Sequence, residues 1–476
     1  MTDDTTQLAV IGGGPGGYAA AFMAADLGLT VTLIDPAKTP GGVCLYRGCI
    51  PSKALLHVAR VIAEAGEAAA WGVSFAKPKV HIDRLRGWKN EVVAGLTDGL
   101  GRLVQQRGIT YRQGTAAFLD NRSLAVSGAD GGERRLRFEH AIIAAGAAPV
   151  RPAGLDSDDE RMLDSTAALE LGQVPDKLLV VGGGYIGLEL GTVYAALGAK
   201  VTVVEMTSQL LPGVDRDLVR VLEKRLSERL TAVLKKTTVQ RIKAQQNGLK
   251  VVLRHETDGD QARLFDQVLL AVGRRPDTAG LGLQNTAVQL DDRGFIRVDQ
   301  RRRTAEAHIF AIGDVAGEPM LAHKAAHEGR VAAEVIAGRE VIYEPLAVPA
   351  VVFTDPEIAW AGTTENEARE KGLDVVVARF PWAASGRAAT LGRSDGLTKL
   401  VIDPRSERVL GVGIVGPGAG ELIAEGVLAI EMNASVADIG LSIHPHPTLS
   451  ETLKESADLY HGTATHFRRA GRDRQS

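Results

Sequence analysis

The chain has two cysteines, and both fall in one stretch, GGVCLYRGCIPSKALL, as Cys44 and Cys49. Five-residue spacing alone does not separate an inert, separately buried pair from a reactive one. Zinc is the weaker alternative, because two thiols leave it short of the further ligands it requires. The pair stands at the start of a helical pattern, where the positive helix end lowers a thiol's pKa. That placement favours a dithiol that cycles with a disulfide. A second constellation lies far down the chain in HPHPTLSE, where His446 is followed five residues later by Glu451. An imidazole oriented by a carboxylate is a general acid or base. On residue types alone, a histidine between prolines more often shapes a turn.

Gly12, Gly14 and Gly17 form a G-x-G-x-x-G run between an apolar strand and a small-residue helix, and Asp35 ends the next strand. Absent side chains let a pyrophosphate reach backbone N–H groups at the helix start, and the acid suits a ribose hydroxyl pair. The same βαβ pattern returns 170 residues later, with Gly182, Gly184 and Gly187 followed by Glu205. Two dinucleotide sites are expected. Glu205 also selects: a carboxylate accepts both ribose hydroxyls and repels a 2'-phosphate. The following residues, MTSQLL, hold no arginine to reverse that preference, so NAD is expected rather than NADP.

Together the cysteine stretch, both glycine turns and IFAIGDVAG resemble the pyridine nucleotide-disulfide oxidoreductases over essentially the whole chain. The resemblance implies FAD at the first turn, next to the cysteines, and NAD at the second. It adds Lys53, Ala116, Gly146, Asp314 and Ala322 to the FAD set, with Asp314 on the ribitol chain, and Glu189 and Gly273 to the NAD set. It implies that Cys49 faces the flavin, Cys44 exchanges with substrate, His446 is the acid/base and Glu451 orients it. LAHKAAHEG and HPHPTLSE are similar to the branch of the family that oxidises dihydrolipoamide. That branch implies a two-fold homodimer sharing its active sites, working with a lipoyl-bearing acyltransferase of a 2-oxo acid dehydrogenase complex or a glycine-cleavage carrier protein. Val43, Tyr46, Arg47 and Pro445 depart from the usual pattern, and Tyr185 stands where glutathione reductases place a tyrosine over the nicotinamide site. His444 is expected to be structural, and His323 and His327 to serve packing or the flavin neighbourhood.

These groups need a large α/β scaffold. At 476 residues, with 45% hydrophobic and 24% charged residues, the chain is a multidomain globular protein. The expected architecture is two Rossmann-like dinucleotide-binding domains plus a C-terminal α+β dimerisation domain. Residues 1–149 form the FAD-binding segment with the redox pair, 150–275 the NAD-binding domain, 276–344 a central region completing the FAD site, and 345–476 the interface domain. Within these, 71–103 reads as helical; 109–118, 134–145 and 267–273 read as strands closing the two sheets. A net charge of −3 gives no reason to expect nucleic acid as a partner. The basic stretch 468–474 reads as a solvated tail. No apolar run reaches the ~18 residues a membrane span needs, no leader is visible, and no metal is expected. A bacterial cytoplasmic location, or an already processed organellar form, follows, with the lipoyl group carried by another protein.

Overall fold

The computed structural model describes residues 3–128, 131–152, 154–155 and 159–468. Its first sheet grows from strand Asp3–Ile11, whose apolar run is flanked in parallel by Val31–Asp35 and Glu133–Ile143. Strand Thr110–Asp120 pairs in parallel with the far side of Val31–Asp35 through its first half. Its second half turns back into a hairpin with Ser123–Gly128, which then lies antiparallel to Glu133–Ile143. Strand Ile309–Ala311 adds itself beside residues 141–143. The central stretch of chain therefore returns to the first sheet after an excursion of more than 150 residues.

The second sheet runs in parallel throughout. Its order is Ala232–Leu234, Lys200–Val204, Lys177–Val181, Gln267–Leu270 and Met162–Leu163. A separate antiparallel sheet, Thr237–Gln245, Gly248–His255 and Gly259–Phe265, packs its buried Leu249, Val251 and Leu253 against this layer. The C-terminal part is a five-stranded antiparallel sheet, ordered Ala350–Val352, Glu357–Gly362, Val409–Gly416, Leu397–Ile402 and Val376–Pro381. It is followed by helices Ala419–Glu431, Val436–Leu441 and Glu451–His461.

The helical reading of 71–103 is corrected in its first third. Residues 72–81 carry no helix; helix Ile82–Gln106 begins only after them. Gly72 and Pro78 break the pattern there. Residues 469–474 of the basic tail lie outside the described residues. One hydrophobic core joins the three parts, taking in Leu55 and Leu56, Leu188 and Val203, and Val352, Ile358 and Val415. No helix among the described residues is long and apolar enough to cross a membrane.

Candidate active site

The two glycine turns are built alike. Gly12 and Gly182 adopt φ of +105° and +110°, and a Cβ on Gly17 or Gly187 would stand 1.8 or 2.2 Å from the carbonyl oxygen of Gly12 or Gly182. The third glycine of each turn thus lets helix and strand close onto one another. Helices Pro15–Asp26 and Tyr185–Ala196 both start on a glycine with no side-chain cap. Their first-turn N–H groups are left for an anion. Asp35 accepts from the N–H of Gly13 at 2.6 Å and of Ala37 at 2.8 Å. Glu205 repeats this with Gly183 at 2.8 Å and Thr207 at 2.7 Å. Each oxygen keeps a second lone pair for a ribose hydroxyl.

A cavity of about 610 Å³ opens at the first turn, lined by Gly12, Gly14, Asp35, Cys44, Cys49, Lys53, Ala116, Gly146, Glu189, Asp314 and Ala322. Its size, glycine floor and uncapped helix end fit FAD. Gly17 lies behind the floor, and Gly182, Gly184, Gly187, Glu205 and Gly273 are outside this cavity. Arg274, Asp277, Tyr46, Arg47 and Tyr185 also line it. Of these, Arg274 and Asp277 carry no sequence signal: they lie in the breaker-rich segment 274–280 and reach the cavity because strand Arg274–Pro276 pairs with Ala147–Pro149.

Cys44 and Cys49 are free thiols at this wall. Cys44 lies within helix Gly42–Arg47 and Cys49 opens helix Cys49–Glu67, with Gly48 between the two helices at φ −147°, ψ −114°. An uninterrupted helix would hold Cα atoms five apart at roughly 8.6 Å, beyond disulfide reach; the break removes that obstacle. A Cβ at Gly48 would meet the Val43 carbonyl oxygen at 2.8 Å, so only glycine fits. The two sulfurs divide the proton unequally. Cys49 is drawn down to about 7 by the hydrogen bond from Cys44, against burial and with help from Lys53. Cys44 is pushed up by donating that bond, by burial and by the charge on Cys49. The thiolate therefore belongs to Cys49. In single-cysteine variants the serine of Cys44→Ser can still donate, whereas Cys44→Ala cannot. The pH profile of Cys49 alkylation should keep a midpoint near 7 in the first and rise toward ~8.5 in the second; equal midpoints would refute the assigned donor.

Beside the pair, Lys53 donates to Glu189 at 2.8 Å and lies over the Phe353 ring. Glu189 also accepts from the Phe353 N–H at 2.9 Å. This ion pair ties the redox helix to the second sheet's first helix and to the C-terminal sheet.

His446 donates from Nδ1 to Glu451 Oε1 at 2.9 Å, while Glu451 Oε2 accepts from the Thr448 N–H at 2.7 Å. Burial pushes the Glu451 carboxyl up, but the Thr448 and His446 hydrogen bonds hold it below the usual range. An ionised Glu451 fixes the proton on Nδ1 and leaves Nε2 to accept one. The pair does not line the cavity, and the His446 side chain is 69% exposed. His444 is held by Glu425 at 2.7 Å and by the Ser442 carbonyl at 2.9 Å. His323 meets the Pro349 carbonyl, and His327 packs edge-on against Tyr343.

Two nucleotide turns, a dithiol split across a broken helix and a carboxylate-held imidazole define a nicotinamide- and flavin-linked dithiol–disulfide oxidoreductase. Residues 6–329 match the pyridine nucleotide-disulphide oxidoreductase family, and 348–457 match that family's dimerisation domain. The chain is 47% identical to dihydrolipoyl dehydrogenase of Haemophilus influenzae, covering 97% of this chain and 96% of the relative. It is likewise 47% identical to that of Vibrio cholerae, over 96% of each. The crystal structure of LpdA from Mycobacterium tuberculosis superposes with a TM-score of 0.88 at 28% identity, covering 95% of this chain and 99% of that one. The chain belongs to the pyridine nucleotide-disulphide oxidoreductase family, and its cofactors are FAD and NAD.

Proposed function

We propose that the chain oxidises protein-bound dihydrolipoamide to lipoamide and reduces NAD, as a homodimer working with a lipoyl-bearing acyltransferase or glycine-cleavage carrier in the cytoplasm. The asymmetric dithiol carries this reading: a low-pKa Cys49 leaves readily as thiolate when a substrate thiol attacks Cys44. Starting from the oxidised pair, His446 Nε2 takes the proton of a substrate thiol. The resulting thiolate attacks Cys44, the Cys44–Cys49 bond breaks, and Cys49 departs as thiolate. The substrate's second thiol then displaces Cys44 from the mixed disulfide, closing the lipoamide ring and leaving Cys44 to take a proton. FAD, when bound, supplies the two-electron carrier between the dithiol and NAD. Lys53 holds the negative charge on Cys49 and is itself held by Glu189. Asp35 and Asp314 would hold the two halves of FAD, and Glu205 the NAD ribose.

The reading is tested by turnover of dihydrolipoamide with NAD, which should fall to background in Cys44→Ser. A wild-type chain that retains FAD but does not reduce NAD with dihydrolipoamide would be a redox-silent scaffold, and the reading would fail. NAD should be preferred over NADP. Glu205→Arg should shift the ratio of kcat/KM values toward NADP by at least ~10-fold, because it exchanges repulsion of a 2'-phosphate for attraction. Equal efficiency of the wild type with both nucleotides would sink this assignment.

A further inference from the structure

Asp314 lines the cavity, makes no side-chain hydrogen bond or ion pair among the described residues, and sits in a region where burial pushes its carboxyl up. Such a group needs its backbone held if it is to meet a ligand at a fixed place. The turn that carries it, Gly313–Val315, is gripped from one side by helix Ala322–Ile336. Glu328, with 0% exposure, accepts from the Gly313 N–H at 2.6 Å. One turn earlier in that helix, Lys324 donates to the Gly317 carbonyl at 3.0 Å and reaches the Gly313 carbonyl at 3.5 Å. The two side chains pair with one another at 3.0 Å, and Arg302 closes the group on Glu328 at 2.9 Å. Between them, Gly313 presses on the helix so closely that a Cβ would meet the Ala325 Cβ at 3.0 Å.

Fully buried ion pairs are poor sources of stability, since desolvation offsets most of their attraction. This one holds both polar groups of Gly313, the residue next to Asp314. We propose that Glu328 and Lys324 are positioning residues for flavin binding, a clamp that fixes Gly313 so that Asp314 meets the ribitol chain. The proposal rests on the assignment of Asp314 to FAD.

A double-mutant cycle on the FAD-loaded full-length chain tests it, reading the rate of FAD release in a chaotropic salt and the visible circular dichroism of the bound flavin. Asp314→Asn and Glu328→Gln should each speed release about tenfold, the scale of one lost charge-assisted hydrogen bond, and alter the dichroism. The double variant should release FAD no faster than the faster single one. Lys324→Met keeps the Glu328 bond to Gly313 and provides a second cycle with the same expectation should Glu328→Gln fail to fold. Lys399→Met, a buried-charge variant remote from the turn, should leave release unchanged at a chaotrope concentration below its own unfolding transition, separating positioning from general loss of stability. If Asp314→Asn does not change release, the assignment of Asp314 falls, and the clamp with it. If Asp314→Asn acts but its effect multiplies in full with those of Glu328→Gln and Lys324→Met, the clamp alone is overturned.

Discussion

Replacing Lys399 with methionine is expected to cost about 3–5 kcal/mol of folding stability. Lys399 is 1% exposed, and its ammonium lies 2.7 Å from an oxygen of each of three carboxylates, Asp215, Asp217 and Glu365. Asp215 and Asp217 begin helix Arg216–Arg229 beside the second sheet, whereas Glu365 and Lys399 belong to the C-terminal part. Arg379 adds a bond to Asp217 at 2.8 Å and another to Glu365. With Lys399 removed, Arg379 alone faces three negative charges, and a buried carboxylate without its partner is far more costly than an exposed one. Asp217 shows the dependence: burial pushes its carboxyl up, and Lys399 and Arg379 hold it below the ordinary range. A depressed folded-state pKa contributes stability that is present above the unfolded value of ~3.9 and is lost as pH falls through the folded one. Methionine should therefore lower the plateau at neutral pH most, and the deficit should shrink as pH falls and Asp217 takes up its proton. Urea unfolding at neutral pH decides the matter; a loss under about 1 kcal/mol, typical of a surface pair, would refute it.

None of that cluster was legible beforehand, and the reason is physical. Its members lie at 215, 217, 365, 379 and 399, and no period or local motif links charges whose meeting depends on how two sheets dock. Glu328 was no more legible: it stands in LAHKAAHEG, a segment matched by resemblance, but its partner Gly313 is read only from the packed turn. What could be read was local. A glycine triple, its flanking strands and an acid at the end of the second strand lie within about thirty residues, and strand, turn and helix geometry dictate their arrangement. The 170-residue repeat could be seen for the same reason, and it returned as two matching carboxylate-to-glycine bonds, at 2.6 and 2.8 Å. The break at Gly48 was also within reach, because five-residue spacing and disulfide geometry exclude a continuous helix. The antiparallel sheet 237–265 was not, since its outer strands are largely exposed and show no apolar alternation.

Mixing a Cys44→Ser chain with a His446→Gln chain, each nearly inactive alone, should restore turnover as subunits exchange. Loss of a general base costs on the order of 10²–10⁴-fold, and loss of the exchange thiol removes the covalent route, so each parent sets a low baseline. Cys44 faces the cavity wall, while His446 and Glu451 stand on the outside of the same chain and do not line that cavity. Yet Glu451 orients the ring as a base would be oriented. Around this region Leu428, Met432, Leu441 and Ile443 are also exposed, Ile443 by 97%, and they belong to the segment that matches the family's dimerisation domain. Large apolar side chains left this exposed on a dimerisation segment suit a surface that a partner covers, and a two-fold axis makes the contact reciprocal. Each His446 would then approach the partner's Cys44. A mixed dimer would hold one site lacking both groups and one with both intact, so a random mixture, half heterodimer with one good site of two, should recover about a quarter of wild-type turnover per active-site flavin. No recovery, with heterodimers shown by differential tagging, would place His446 and Cys44 of a working site on one chain and overturn the shared-site reading.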